Sequence, residues 1–368
     1  MMLNLLFFWF SLWPSTGNLP DYHDVFVSGK EGYHTYRIPS VVCTRSGILL
    51  AFAEGRINVS DHAQNDLVMK RSTDGGLTWG PLVVLQQEGE NSLNNPQAVV
   101  LNNGQILLVY NRYPKEGGEH FVQPGLSGDS ICRTFLIRSK DEGKTWSAPR
   151  EITAQIKRPT WATSTAAGPG IGIQLTRGAY KGRIIMPFNQ GPYGKWSVYA
   201  AYSDDNGKNW SYGEIGFEDS PGMGNEVQVV ERSDGSILLN ARNQGGNKYR
   251  KTAISRDGGQ NWTGLIEDAE LPEPQCMGSI LRYSFEENGN ASVILFSNPA
   301  SQTGRENGTL KISYDEGETW PGAIPVYDGS FAYSCLTKLP DGTVGVLFEA
   351  DKYHRIVFAR ISSEKIKK

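Results

Sequence analysis

Six times along the chain an apolar run of strand length meets a turn and a second apolar run. The six stretches are IPSVVCTRSGILLAFAE (38–54), NPQAVVLNNGQILLVYN (95–111), GIGIQLTRGAYKGRIIMPFN (170–189), NEVQVVERSDGSILLNARN (225–243), MGSILRYSFEENGNASVILFSN (277–298) and AYSCLTKLPDGTVGVLFEA (332–350). Each alternates or runs apolar over a strand length and breaks at Ser-Gly, Asn-Gly, Lys-Gly or Asp-Gly, which predicts a β-hairpin.

A second motif interleaves with the first. The phrase Ser-x-Asp-x-Gly-x-Thr/Asn-Trp occurs as STDGGLTW, SKDEGKTW, SDDNGKNW, SRDGGQNW and SYDEGETW, starting at residues 72, 139, 203, 255 and 313. Five copies mark a recurring structural unit rather than five active sites. The Asp pins the turn through nearby N–H groups, the Gly allows positive φ, and the Trp packs between units. In the first five units this Asp box lies within a second hairpin, so each unit holds four antiparallel strands. The pattern predicts an all-β, six-bladed β-propeller with five Asp boxes, occupying residues 18–368 as one domain. The sixth unit lacks a box and a strand, and residues 24–28 are expected to supply that strand and close the ring.

Composition adds limits. Lys and Arg number 36 against 39 Asp and Glu, with no basic block, so a nucleic-acid partner is not suggested. Cys43, Cys132, Cys276 and Cys335 have no metal-ligand spacing, and both two disulfides and four free thiols fit. Residues 2–13 are apolar and precede Pro14, so residues 1–17 resemble a secretory signal peptide and are too short for a membrane span. With five Asn-x-Ser/Thr sequons, at Asn58, Asn209, Asn261, Asn290 and Asn307, this favours a secreted or lumenal glycoprotein, the cytoplasm being the alternative. The chain is expected to be a monomer.

The chemistry must lie where the boxes are not. In a propeller the first strand of each unit lines the axis, so first-strand starts and second-strand ends meet on one face. The starts carry Arg37, Asn95, Gly170, Glu226, Met277 and Tyr333. The ends, or the loops after them, carry Arg56 with Asp61, Arg112, Asn189, Arg242, Arg305 and Glu349. Like charges converging in one cavity are costly unless they meet an anion. Three arginines suit a carboxylate through charge-assisted bonds, and Glu349 can orient one of them. Glu226 beside Tyr333 can take the phenol proton and make the oxygen nucleophilic. Asp61, on a loop, suits a general acid. Residues 112–130 read as an active-site loop, and WATSTAAGPGIGI (161–173) as either a Gly-rich strand entry or part of the cavity lining.

These residues carry a resemblance. Tyr36-Arg37-Ile38-Pro39, AEGR ending at Arg56 with Asp61 beyond, NEVQVVE, LNARN, Arg305 before GTLKIS, AYSCL around Tyr333 and LFE ending at Glu349 together resemble the exo-α-sialidases of bacterial and animal type. The resemblance implies that Arg37, Arg242 and Arg305 grip the carboxylate of sialic acid. It makes Tyr333 the nucleophile, Glu226 its base partner and Asp61 the acid/base. Glu349 would steady Arg37, and Arg56 would contact a sugar oxygen. Sialidases with a tyrosine nucleophile are an established exception among glycosidases. The anomeric carbon bears a carboxylate, which a neutral phenol approaches more readily than another carboxylate does. The implied reaction is retaining hydrolysis of sialylated glycoproteins, glycolipids or oligosaccharides, with no metal or cofactor. Asn95 stands where relatives often have Asp, which leaves the N-acyl or deaminated form of the sugar open. A trans-sialidase, an enzyme preferring the deaminated sugar and a non-catalytic sugar-binding propeller are the alternatives. Glycans at Asn58 and Asn307 would crowd the cavity and are not expected there.

Overall fold

β-Branched and aromatic residues at alternating positions, cut every few residues by Gly turns, favour short antiparallel strands over helices. The computed structural model describes residues 20–115, 117–287, 289 and 291–366, and its strands follow this pattern in six successive antiparallel units. The segment resembling a signal peptide lies outside the described residues, as does Asn290. Helix among the described residues is confined to Gly118–Phe121, Thr153–Ile156 and a 3-10 turn at Ser363–Lys365.

Unit one pairs Thr35–Cys43, Leu49–Arg56, Asn65–Ser72 and Val83–Gln86 in that order. Unit two pairs Ser92–Val100, Ile106–Tyr113, Arg133–Ser139 and Arg150–Glu151. Unit four pairs Met223–Glu231, Ile237–Gln244, Tyr249–Ser255 and Ile266–Pro272. Unit five runs Ser279–Ser284, Val293–Pro299, Glu306–Ser313 and then the first half of the long strand Gly322–Lys338. The second half of that strand opens unit six, followed by Val344–Ala350 and Arg355–Ile361. Asp21–Val27 pairs with Arg355–Ile361 and completes unit six. The chain's beginning thus covers the edge its end would expose.

Unit three departs from the expected single hairpin. Its inner strand is split into Thr165–Ala167 and Ile173–Gln174, both paired with Ile184–Gln190. Between them Gly170–Ile171 turns aside to pair in parallel with the inner strand of unit two. Pro169 has no N–H to give a ladder, and a Cβ at Gly168 would meet the Val227 carbonyl at 2.5 Å. The segment leaves its own sheet where its residues cannot continue it.

Apolar clusters sit between neighbouring units. Leu107, Val109 and Leu136 of unit two pack with Met186, Phe188 and Tyr199 of unit three. Ile185 and Val198 pack with Val227, Val229 and Leu239 of unit four. Phe52 and Leu50 of unit one share a cluster with Leu347, Ile356 and Phe358 of unit six. The box tryptophans join these seams: Trp79 of unit one meets Phe358 of unit six edge-on at 5.5 Å, and Trp146 of unit two meets Phe52 at 5.8 Å.

Each box turn makes the same bonds. In unit three Ser203 Oγ donates to Asp205, and Asp205 accepts the Asn209 N–H at 2.8 Å and Asn209 Nδ2 at 2.7 Å. The pattern recurs at Asp74, Asp141, Asp257 and Asp315. Gly76 has φ 91°, and a Cβ there would lie 2.3 Å from Phe358. That box glycine therefore serves both the turn and the contact between units. All four cysteines are free thiols. Among the described residues, no helix is long and apolar enough to cross a membrane.

Candidate active site

Four inner strands carry a β-bulge at the same height, and the bulges build the site. In each, two residues oppose one on the partner strand: Ile38 and Pro39 oppose Ala53, Asn95 and Pro96 oppose Tyr110, Asn225 and Glu226 oppose Arg242, and Ala332 and Tyr333 oppose Glu349. A bulge bends its strand and re-aims the side chain. Ile38 and Asn95 pay for the bend with left-handed backbone, φ 59° and 55°.

Bulging also frees backbone N–H groups from the ladder, and these need acceptors. Buried carboxylates supply them. Glu349 accepts the Ile38 N–H at 2.9 Å and the Tyr333 N–H at 3.2 Å while holding Arg37 Nε at 2.6 Å. Glu54 accepts the Asn95 N–H at 2.8 Å and Arg56 Nε at 2.8 Å. Both glutamates are essentially inaccessible to solvent. Each one fixes a bulge and an arginine together.

The bulged residues face a polar cavity of about 240 Å³. Arg37, Arg56, Asp61, Asn95, Glu226, Arg242, Arg305 and Tyr333 all line it. Glu349 lies behind Arg37 rather than at the surface of the cavity. Three residues of the wider sequence set are elsewhere. Arg112 points to the other face of its strand and pairs with Glu88 at 3.2 Å, and its neighbour Tyr113 lines the cavity instead. Gly170 and Met277 are not on the lining, and Gly170 packs close to both Met277 and Gln228. A second cavity, about 300 Å³, opens among Val41, Val99, Ile171, Val229, Ile280 and Leu336. Its apolar walls make the polar cavity the place for chemistry.

Tyr333 Oη donates to Glu226 Oε1, and Arg242 Nη1 donates to both Glu226 Oε2 at 2.8 Å and Tyr333 Oη at 3.2 Å. Burial raises the Tyr333 phenol well above its ordinary pKa, the Glu226 charge adds to this, and Arg242 and Arg305 oppose it. Arg37 and Arg242 remain charged: burial disfavours the charge, but Glu349 and Glu226 respectively more than offset it.

Asp61 is on the rim, its side chain 71% exposed, with Arg56 Nη1 at 2.7 Å and Arg37 Nη1 at 3.7 Å. Partial desolvation pushes its pKa up, but the Arg56 charge and hydrogen bond, with Arg37, hold it below the usual carboxylate value. Burial pushes neighbouring His62 down to about 4, so it is neutral at physiological pH. His62 Nε2 accepts the Glu119 N–H at 3.3 Å, which fixes the ring's proton on Nδ1.

The 112–130 segment delivers Glu119 to the cavity from its short helix. Glu119 Oε1 accepts from Trp196 Nε1 at 2.7 Å and Ser164 Oγ at 3.0 Å, and burial raises its pKa. The 161–173 segment contributes Ala166 to the lining. Sequence reasoning missed Glu54, His62, Tyr113 and Glu119. Glu54 alone left a signal, as a charge directly following the apolar run LLAFA within one strand.

Repeated four-stranded units with Asp-box turns around a polar, arginine-lined cavity define a protein of the BNR-repeat class, and the BNR repeat-like domain matches residues 47–346. The chain is 37% identical over 340 residues to a sialidase of Micromonospora viridifaciens, which covers 89% of this chain and 51% of that protein. It is 30% identical over 349 residues to an exo-alpha-sialidase of Aspergillus fumigatus, covering 88% and 80% respectively. The solved structure of Hadza microbial sialidase Hz136 matches with a TM-score of 0.82 and 30% identity, over 92% of this chain and 68% of that one. The chain belongs to the sialidase family. It spans about half the length of the Micromonospora protein.

Proposed function

We propose that this chain is a retaining exo-α-sialidase that removes terminal sialic acid from glycans, built as a six-bladed propeller. Ring closure is supported by the inner strand of unit one lying against those of both unit two and unit six. The observation that carries the chemistry is the Tyr333–Glu226 hydrogen bond beside Arg37, Arg242 and Arg305.

Arg37, Arg242 and Arg305 receive the carboxylate on the anomeric carbon and orient the sugar, and such orientation is a large part of catalysis. The high pKa of Tyr333 means that it attacks as a phenol. Its proton passes to Glu226 as the oxygen–carbon bond forms. Asp61, in its acid form, protonates the departing glycosidic oxygen. In the second half, Asp61 takes a proton from water, the water oxygen bonds to the anomeric carbon, and Tyr333 leaves with the proton returned by Glu226. Two displacements retain configuration.

Tyr333→Phe and Asp61→Ala are expected to abolish most release of fluorophore from an aryl sialoside with the fold intact by circular dichroism. Time-resolved NMR should detect the α-anomer first. Full activity in either variant, or β-sialic acid as first product, contradicts the reading.

A further inference from the structure

The three arginines that face the anion are held in different ways. Arg37 has Glu349, and Arg242 has Glu226. Arg305 has no carboxylate partner among the described residues. Its Nη1 donates to Tyr353 Oη at 2.9 Å and its Nη2 to the Gln275 carbonyl at 3.1 Å. The ring of the same Tyr353 lies beneath the Arg37 guanidinium, 4.1 Å from Cζ to centroid. One tyrosine thus touches two of the three arginines, through its hydroxyl and through its face.

Its backbone is unusual. Asp351, Lys352 and Tyr353 follow one another at φ 51°, 53° and 70°, and Gln275 is at 58°. Left-handed backbone is disfavoured for residues with a Cβ, and a run of three persists only where its surroundings enforce it. Ser330 accepts from the Asp351 N–H through its carbonyl at 3.3 Å, and from the Lys352 N–H through its hydroxyl at 2.9 Å. Ser28 Oγ donates to the Tyr353 carbonyl at 3.0 Å, and the Ser28 N–H donates to the His354 carbonyl at 2.9 Å. The Asp351 carboxylate is held by Tyr327 Oη at 2.7 Å and Arg355 Nε at 2.8 Å.

We propose that Tyr353 is a positioning residue for the carboxylate grip, orienting Arg305 by its hydroxyl and Arg37 by its ring without neutralising either. A carboxylate that orients an arginine also cancels much of its field. A phenol and a peptide carbonyl orient it and leave the charge for the ligand. Arg305 is therefore the arm without a carboxylate in direct contact before substrate arrives, and Tyr353 aims it. Tyr353 lines a neighbouring groove together with Arg37, rather than the catalytic cavity, so it acts through the arginines.

This inference rests on the proposed function, and its test separates the two. The full chain and its Tyr353→Phe and Tyr353→Leu variants are titrated with 2,3-unsaturated sialic acid and with its uncharged carboxamide, and assayed on an aryl sialoside. Losing a hydrogen bond to a charged group should weaken carboxylate binding by about tenfold in Tyr353→Phe. Losing the ring as well should weaken it by about a further fivefold in Tyr353→Leu. KM should rise in parallel, affinity for the carboxamide should stay within about twofold of wild type, and the melting temperature of Tyr353→Phe should hold. Wild-type affinity and KM in Tyr353→Phe, or equal losses for carboxylate and carboxamide, overturn the role of Tyr353 and leave the sialidase reading standing. A wild-type chain that binds neither analogue and releases no sialic acid overturns both.

Discussion

Glu349→Gln changes one atom at the point where two strands and one arginine meet. The native carboxylate is 1% exposed and takes three donors: Arg37 Nε and the Ile38 N–H on Oε1, and the Tyr333 N–H on Oε2. An amide can satisfy only one side. With its oxygen toward Arg37, its NH2 meets the Tyr333 N–H; flipped, it meets Arg37. Arg37, 11% exposed, also loses its counter-charge. Two unit charges about 4 Å apart interact by about 4 kcal/mol at an effective dielectric near 20. Breaking a buried pair from one side costs about 3–5 kcal/mol. Because the amide keeps one acceptor, the expected loss is about 3 kcal/mol, or roughly 4 °C in a chain of this length. Displacing Arg37 by about 1 Å should lower kcat/KM about 100-fold. The companion variant Arg37→Met/Glu349→Gln removes the orphaned charge, so it should regain more than half of the lost stability and none of the activity. Thermal unfolding and aryl-sialoside kinetics on the wild type, both single variants and the double variant measure this coupling. A Glu349→Gln protein melting within 1 °C of wild type with unchanged kcat/KM would refute the buried-pair argument. So would a double variant no more stable than Glu349→Gln.

The depressed pKa of Asp61 sets the pH behaviour. Its folded-state value is below its unfolded one, so its contribution to stability is present above the ordinary carboxylate pKa and fades as pH falls through the folded value. For activity, the alkaline limb of kcat/KM should fall at lower pH than that of kcat, and coincident limbs would count against Asp61 as the acid. At the far end of the units, Asp205→Ala removes an acceptor for the Asn209 backbone and side chain. It should cost about 1–2 kcal/mol by thermal unfolding and leave kcat/KM within twofold, and a catalytic defect without loss of stability would contradict the box's structural role.

Most of this arrangement could be read from the sequence, for identifiable reasons. The residues lining the cavity were legible because hairpin geometry sends strand starts and strand ends to one face whatever the loops do. Pro39 and Pro96 even marked two of the bulges, since proline gives no hydrogen to a ladder. Arg112 was misplaced by one residue, and with a two-residue period that error reverses the face, so Tyr113 took its position. The split inner strand of unit three was hidden because GIGIQL looks continuous, while the break depends on close approach of Gly168 to the Val227 carbonyl in another unit. Glu119 comes from a polar loop without periodicity, and only its contacts with Trp196 and Ser164 identify it. Tyr353 was unreadable for a similar reason. The role proposed for it depends on a backbone conformation held by Ser28 and Ser330, both distant in sequence.

The charges around the cavity connect the grip to the acid. Four arginines, Arg37, Arg56, Arg242 and Arg305, are set against Glu54, Glu226, Glu349 and Asp61. Glu54 and Glu349 are tied to their arginines inside the wall, and Glu226 is tied to Arg242 at its surface. Asp61 is the exposed member, and Arg56 and Arg37 hold its pKa below the usual carboxylate value. A substrate carboxylate brings one more negative charge to Arg37, Arg242 and Arg305. With Arg37 committed to the substrate, part of the field that held the Asp61 proton off is spent, and closing the cavity over a sugar removes water that solvated the carboxylate. Both changes favour protonated Asp61. The excess charge is relieved when that carboxyl takes up a proton, which is the form a general acid needs. If Asp61 is the acid proposed above, the empty site disfavours its protonated form and the substrate's own carboxylate would favour it.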